Sequence, residues 1–300
     1  MRSELILASE LLQKSTPEAI EQAIGLLQDT VFSFSMKMCG HRQDAEDTMQ
    51  EVLFRSLKHL AKLEGPNALA AWLYTVTRNR CHRMRRGHLE GHGKKLSLEE
   101  LIPDDEELRR LLHMAESGPE RAAIRTEQHH LLHEAVLRLP TPLRMVLVLH
   151  DMEELSSEEV ANILGLQVGT VRVRLHRARL AVRREMPRLL KGIPEKKAPE
   201  KVVATQKPRE CRELFANLSE YLDARVAPGT CEQMKSHIEK CPACIAFLKD
   251  LRAAIDRCRS FEVVCDPSVA QRIRALMTQE YLRLIGRPDG QLTALSSNSK

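Results

Sequence analysis

Aromatic residues make up only 3% of this 300-residue chain, with one tryptophan, three tyrosines and six phenylalanines. Strand-like alternation of apolar and polar residues is nearly absent as well. Helical periodicity dominates, and the sequence predicts an all-α protein. No apolar run approaches the ~18–20 residues that span a bilayer, and no signal-like apolar stretch follows Met1, so a cytoplasmic protein is expected. Neither a glycine-rich phosphate loop nor a nucleophile triad appears, which argues against an enzyme. Charge is nearly balanced, 46 basic against 41 acidic residues, so local clusters matter more than the total. Eight cysteines in a reducing compartment point to thiols or metal rather than a disulfide framework. The length allows two or three domains with cores of their own.

What the chain does have is arginine, concentrated in SSEEVANILGLQVGTVRVRLHRARLAVRR, residues 156–184. Ser156 or Ser157 can cap a helix whose first turn holds Glu158 and Glu159. Val160, Ala161 and Leu164 repeat at helical spacing, and Gly165 ends the helix. A second helix begins near Val168 or Gly169, with Val171, Leu175, Ala178 and Val182 on one apolar face and arginines over the others. This is the helix-turn-helix pattern, and arginine can clamp phosphate or read guanine edges.

Upstream, Asp44-Ala45-Glu46-Asp47 opens a helix whose buried face carries Met49, Val52, Leu53, Leu57 and Leu60. After Glu64-Gly65-Pro66-Asn67 comes ALAAWLYTVTRNRCHRMRR, where Trp72 precedes Arg78, Arg80, Arg83, Arg85 and Arg86. A stacking ring beside a row of cations suits single-stranded nucleic acid. A core tryptophan with a solvated basic end is the plainer account, and the residues alone do not separate the two. Residues 88–129 read as a charged connector broken by turns, and residues 191–207 as a Pro- and Lys-rich flexible linker.

Beyond the linker, His237-x3-Cys241-x2-Cys244 has tight metal spacing. Cys211, on a preceding helix, supplies a fourth ligand that would pin two elements together; Cys231 competes for that place. Three thiolates and one imidazole form a common structural zinc set, so one zinc is expected, and such a closed set leaves no open position for a hydrolytic water. Val269, Ile273, Leu276, Met277, Tyr281 and Leu284 form a last amphipathic stripe, which either docks on an earlier domain or completes the zinc module. The tail 287–300 reads as disordered.

The strings Asp44-Ala45-Glu46-Asp47, Gln50-Glu51-Val52, Ala71-Trp72-Leu73 and Arg78-Asn79-Arg80 resemble domain 2 of bacterial sigma factors of the extracytoplasmic-function (ECF) group. Residues 156–184, preceded by Leu139-Pro140 and Met145 to Leu149, resemble domain 4 of the same group. The resemblance implies domain 2 over 1–87 and domain 4 over 130–190. It implies core RNA polymerase and promoter DNA as partners. Asp44, Glu46, Asp47, Gln50 and Glu51 would dock on the polymerase clamp. Trp72, Arg78, Asn79, Arg80 and Arg83 would hold the minus-ten element, and Thr170, Arg172, Arg174, Arg177 and Arg179 the minus-thirty-five element. Residues 208–258, with Glu213-Leu214 and Tyr221-Leu222-Asp223, resemble a zinc-binding anti-sigma domain, here fused in cis, within a module expected to run over 208–286. That likeness implies contact with domain 2 or 4, and a rise in transcription when the metal is lost. A stand-alone helix-turn-helix regulator is the competing account; it has no use for the acidic helix followed by Trp72 and arginines.

Overall fold

A computed structural model describes residues 3–60, 62–85, 101, 125–191, 214 and 218–286. No strand occurs among them, and the chain is all-α as expected. The connector before residue 125 apart from residue 101, the linker from residue 192 and the tail from residue 287 lie outside the described residues, as does Cys211. Compact packing divides the described chain into two units, with a break in the tail between Phe261 and Glu262.

The first unit holds α1 (Ser3–Lys14), α2 (Pro17–Cys39), α3 (Arg42–Leu60), α4 (Gly65–Arg85) and the last helix, α11 (Pro267–Ile285). Thr16 caps α2 by accepting the Ala19 N–H at 3.3 Å, with Pro17 in the first turn. Gly40, at φ 80°, closes the helix in the left-handed conformation. Between those ends α2 is buried almost all round, with Ile20, Ile24, Leu27, Val31, Phe32 and Phe34 in the core. It is the central rod against which the others pack. α3 turns Ala45, Met49, Val52, Leu53, Leu57 and Leu60 inward at helical spacing. Tyr74 of α4 meets Phe34 edge-on, with ring centroids 5.3 Å apart.

α11 packs on α2 and α3 in this unit. Sequence reading grouped it with the zinc module in one segment, 208–286; the structure divides that segment after Phe261. The reason is the stripe Ala270, Ile273, Met277 and Tyr281, all buried, on a helix whose Arg274 lies over Gly25 of α2. A Cβ at Gly25 would meet that guanidinium at 3.0 Å. Leu276, expected in the stripe, is 52% exposed.

The second unit holds α5 (Arg125–Arg138), α6 (Thr141–Leu147), a π-helical turn (Val148–Met152), α7 (Ser157–Leu164), α8 (Val168–Lys191), α9 (Pro228–Lys240) and α10 (Pro242–Arg259). Arg144 of α6 is buried and donates to the carbonyls of Leu137 and Leu139, closing the end of α5. α7 begins with a full capping box: Glu159 N–H donates to Ser156 Oγ at 3.1 Å, and Ser156 N–H to the Glu159 carboxylate at 2.7 Å. Gly165, at φ 65°, ends it. Val171, Leu175, Ala178 and Val182 of α8 are all buried, so the apolar face reads as predicted. In α7 Val160 and Ala161 are buried as expected, but the third inward apolar residue is Ile163, at 4% exposure, and Leu164 is half-buried.

Candidate nucleic-acid interface and metal site

α8 sorts its arginines by the angle at which they leave the helix. Arg172, Arg174 and Arg177 stay half-exposed, with Val173 between them at 54%. Thr170, in the first turn, is also half-exposed. Arg172 Nη2 lies 3.6 Å from Glu158 Oε1 at the start of α7. These side chains form a basic surface over the first three turns, the N-terminal part of such a helix that reaches a groove.

Arg179 does not belong to that surface, contrary to its expected role as a DNA contact. It is 1% exposed. Its Nε and Nη2 donate to Asp151 at 2.8 and 2.6 Å, and its Nη1 and Nη2 to Asp223, both at 2.9 Å. Nη1 also donates to Ser219 Oγ at 2.7 Å. One guanidinium therefore serves two carboxylates, using its fork geometry on both. Arg179 stands four residues after Leu175 and three before Val182, on the edge of the apolar stripe, but spacing alone does not show that acidic partners await it there. Arg183, one turn on, is also buried, its guanidinium 4.4 Å from the Phe247 ring centroid and 3.1 Å from Asp250 Oδ2. Asp223, Phe247 and Asp250 lie beyond the linker, so residues of the tail pack on α8 within this unit.

Burial alone would push the Asp151 carboxyl up. The charge and hydrogen bonds of Arg179, with help from His150 at 2.9 Å, more than offset this and hold it well below the usual carboxylate range. Arg179 is in turn held firmly protonated, desolvation being outweighed by Asp151 and Asp223.

In the first unit Trp72 is half-buried and faces His59, with ring centroids 4.3 Å apart. Its buried indole N–H has no hydrogen-bond partner among the described residues. Together they line a cleft of about 410 Å³ with Phe54, Arg55, Lys58, Val76 and Asn79. Phe54 is 53% exposed, a stacking surface that sequence reading missed because it sought aromatic rings on α4 alone. The cleft has apolar walls and a basic rim, which suits an unstacked base and its phosphate. Asn79 is exposed, and its Oδ1 accepts from Arg78 Nε at 3.1 Å and Nη2 at 2.8 Å. Desolvation lowers the pKa of Arg78 from its ordinary value. Arg83 lies on α4, with its side chain outside the described residues.

Arg80 and Glu51, expected to face different partners, meet each other: Arg80 Nε is 2.6 Å from Glu51, which also takes Arg55 at 2.7 Å. Asp47 and Gln50 are exposed on α3, and Asp44 and Glu46 half-exposed, with Glu46 3.2 Å from Arg42. The acidic stripe is thus a solvent-facing edge whose far end is tied to α4.

The metal donors sit where α9 meets α10. Cys241 ends one helix and begins the other, its N–H on the Ile238 carbonyl at 3.2 Å and Pro242 in the next turn. His237 lies one turn before and Cys244 one turn after. The three donor atoms lie within 4.8 Å of one another, and His237 Nε2 is 3.4 Å from Cys244 Sγ. Tetrahedral zinc with bonds of about 2.0–2.3 Å needs edges of roughly 3.5–3.8 Å, so the pair fits. Cys231 is half-buried and is not in this group.

Comparison with known proteins follows the same division. The family model for Sigma-70 region 2 matches residues 24–89, that for Sigma-70, region 4 residues 129–182, and a zinc-finger family model residues 211–244. Over 184 residues the chain is 28% identical to RNA polymerase sigma-H factor of Pseudomonas aeruginosa, covering 61% of this chain and 93% of that protein. It is 27% identical over 178 residues to ECF RNA polymerase sigma factor SigW of Bacillus subtilis, covering 58% and 92%. Against the ECF RNA polymerase sigma-E factor of Escherichia coli K12 the figures are 28% over 185 residues, 61% and 94%.

Proposed function

We propose that this chain, a sigma factor of the sigma-70 family and the extracytoplasmic-function type, directs core RNA polymerase to promoters under the control of a zinc-binding module in cis. The observation that carries the reading is the pairing of two different DNA-facing surfaces on one chain. The basic Trp72 cleft suits melted strand, and the exposed arginines of α8 suit duplex. No helix among the described residues is long and apolar enough to cross a membrane. Transcription in vitro with core polymerase tests the reading. Promoter-dependent transcripts are expected from core plus this chain and none from either alone. A chain truncated after Lys191 is expected to differ in yield from the full one, since α10 packs on α8 of region 4.

In this reading Asp47 and Gln50 meet the polymerase. Asp47→Lys leaves the fold intact, because the side chain is exposed, and is expected to weaken binding of core polymerase, read by co-elution with core. Glu51→Lys is a poorer probe, as it sets a third cation against Arg80 and Arg55. Normal core binding by Asp47→Lys sinks the role of this helix.

The cleft takes an unstacked base of the minus-ten strand. Trp72→Ala and Phe54→Ala are each expected to cost promoter opening about 1–3 kcal/mol, the worth of one base stacked on an aromatic ring. Permanganate reactivity of the melted strand is the measurement, with a premelted bubble template expected to recover most of the loss. Undiminished opening in both variants removes the cleft from the account.

Zinc is held by Cys211, His237, Cys241 and Cys244. The coincidence of the zinc-finger match with the interval from Cys211 to Cys244 supports Cys211 over Cys231. A bound zinc here has a structural role, joining the start of the module to the α9–α10 corner.

A further inference from the structure

One turn of the zinc-binding module touches both helices of the helix-turn-helix. The helical stretch 218–222 ends with Ala224 at φ 54°, a left-handed conformation unusual for a residue with a Cβ. The Arg225 N–H donates to the Glu220 carbonyl at 2.8 Å and the Ala224 N–H to that of Tyr221 at 3.1 Å, the bonding of a closed helix end. Such a turn fixes the directions of the residues on either side of Ala224. Asp223 goes to Arg179 on α8. Arg225 goes to α7, where its Nη1 donates to Ser157 Oγ at 2.8 Å.

Arg225 arrives beside a residue already assigned to DNA. Its Nη1 lies 3.9 Å from Glu158 Oε1, and Arg172 Nη2 lies 3.6 Å from the same oxygen. Two guanidiniums thus flank one carboxylate, a local excess of one positive charge. None of the three is sealed: the side chains of Arg225, Arg172 and Glu158 are 29%, 38% and 56% exposed.

We propose that Arg225 is a DNA-binding residue that the zinc module lends to region 4, forming with Arg172 a phosphate-binding pair at the start of α7. The inference rests on the reading of α8 as the duplex reader. In a helix-turn-helix the first helix crosses the DNA backbone while the second enters the groove, and Arg225 sits on the first turn of that first helix. A guanidinium has five N–H donors, and a charged phosphate oxygen is a better acceptor than a serine hydroxyl. Glu158, the most exposed of the three, turns outward as the phosphate replaces it. Docking of the module does not depend on this contact. The buried pairs of Arg179 with Asp223 and of Arg183 with Phe247 and Asp250 hold it, whereas a half-exposed ion pair adds little.

The test is fluorescence anisotropy of the full chain on a short labelled duplex of fixed sequence, across a KCl series. Arg225→Gln is expected to flatten the slope of log K against log salt by about 0.9, one phosphate contact, and Arg225→Lys to restore it. Arg259→Gln, the same charge loss on α10, is expected to leave the slope at the wild-type value. A wild-type slope in Arg225→Gln beside altered binding in Arg172→Ala or Arg174→Ala overturns the proposal and leaves the reader helix standing. Unaltered binding in all three variants removes the reader helix itself, and the proposal with it. If Arg225→Lys is as weak as Arg225→Gln, or if Arg225→Gln loses hydrogen-exchange protection in α10, the residue serves docking and the proposal is wrong.

Discussion

Cys241→Ser is expected to abolish zinc binding and to melt α9, while α10 stays on α8 and residues 3–85 keep their helices. The two helices of the module differ in what else holds them. α9 buries only Met234 and Ile238 along 13 residues, and a helix that short is marginal without tertiary support. α10 has Phe247, Leu251, Ala254, Ile255 and Cys258 buried, with Arg183 beneath Phe247. Structural zinc supplies roughly 10–16 kcal/mol of apparent binding free energy to modules of this kind, far more than two apolar side chains contribute at about 1.5–3 kcal/mol each. Metal content by mass spectrometry and hydrogen exchange across 228–259 check this together. Cys211→Ser is expected to lose the metal and Cys231→Ser to keep it; the reverse result exchanges the fourth ligand. Transcription by the zinc-free variants is expected to depart from wild type. An unchanged yield in all of them leaves the module a passive appendage.

The parts of this molecule that were legible in its sequence are those whose partners lie close in the chain. A serine cap at 156 or 157, Gly165 and the Val171, Leu175, Ala178, Val182 stripe are local patterns, and the structure has each of them, Ser156 taking the cap. The same holds for the His237, Cys241 and Cys244 donors, which two adjoining helix ends bring together. Burial of Arg179 and Arg183 was not legible in that way. Their partners Asp223 and Asp250 lie 44 and 67 residues away, beyond a linker, and a lone charge on a helix ordinarily reads as solvated. The division of the tail was hidden for a related reason. An amphipathic stripe such as Ala270, Ile273, Met277 and Tyr281 states that a face is covered, not by what. The bare Cα of Gly25 that admits Arg274 is at the other end of the chain. Phe54 shows the limit of periodicity from the opposite side, as an apolar residue on the polar face of α3 that only the cleft explains.

Arginines that look alike along α8 are expected to fail in opposite ways when removed. Arg174→Ala, at the surface, is expected to change stability by no more than about 0.5 kcal/mol and to weaken duplex binding. Arg179→Ala is expected to cost this unit about 3–5 kcal/mol, the penalty for stranding a buried partner charge. The stranded group is Asp151, whose side chain is 0% exposed and which would keep His150 as its remaining ion-pair neighbour. Removal of Arg179 also leaves Asp223 and Ser219 of the module without their shared donor. Acid is expected to act through the same pair. Desolvation favours the neutral form of Asp151, but Arg179 prevails and depresses its pKa. A depressed carboxylate contributes stability that is fully present above the unfolded carboxylate value, about 3.9. That contribution is lost as the pH falls from there toward the lower folded value. Opening of this unit is therefore expected to steepen below about pH 4, and Asp151→Asn to remove that added acid sensitivity. Hydrogen exchange in peptides from 141–186, followed against pH, separates these effects from unfolding of the first unit. Equal protection in Arg179→Ala and Arg174→Ala would show that the buried network does not hold region 4 together, and with it would go the seat of the zinc module on α8.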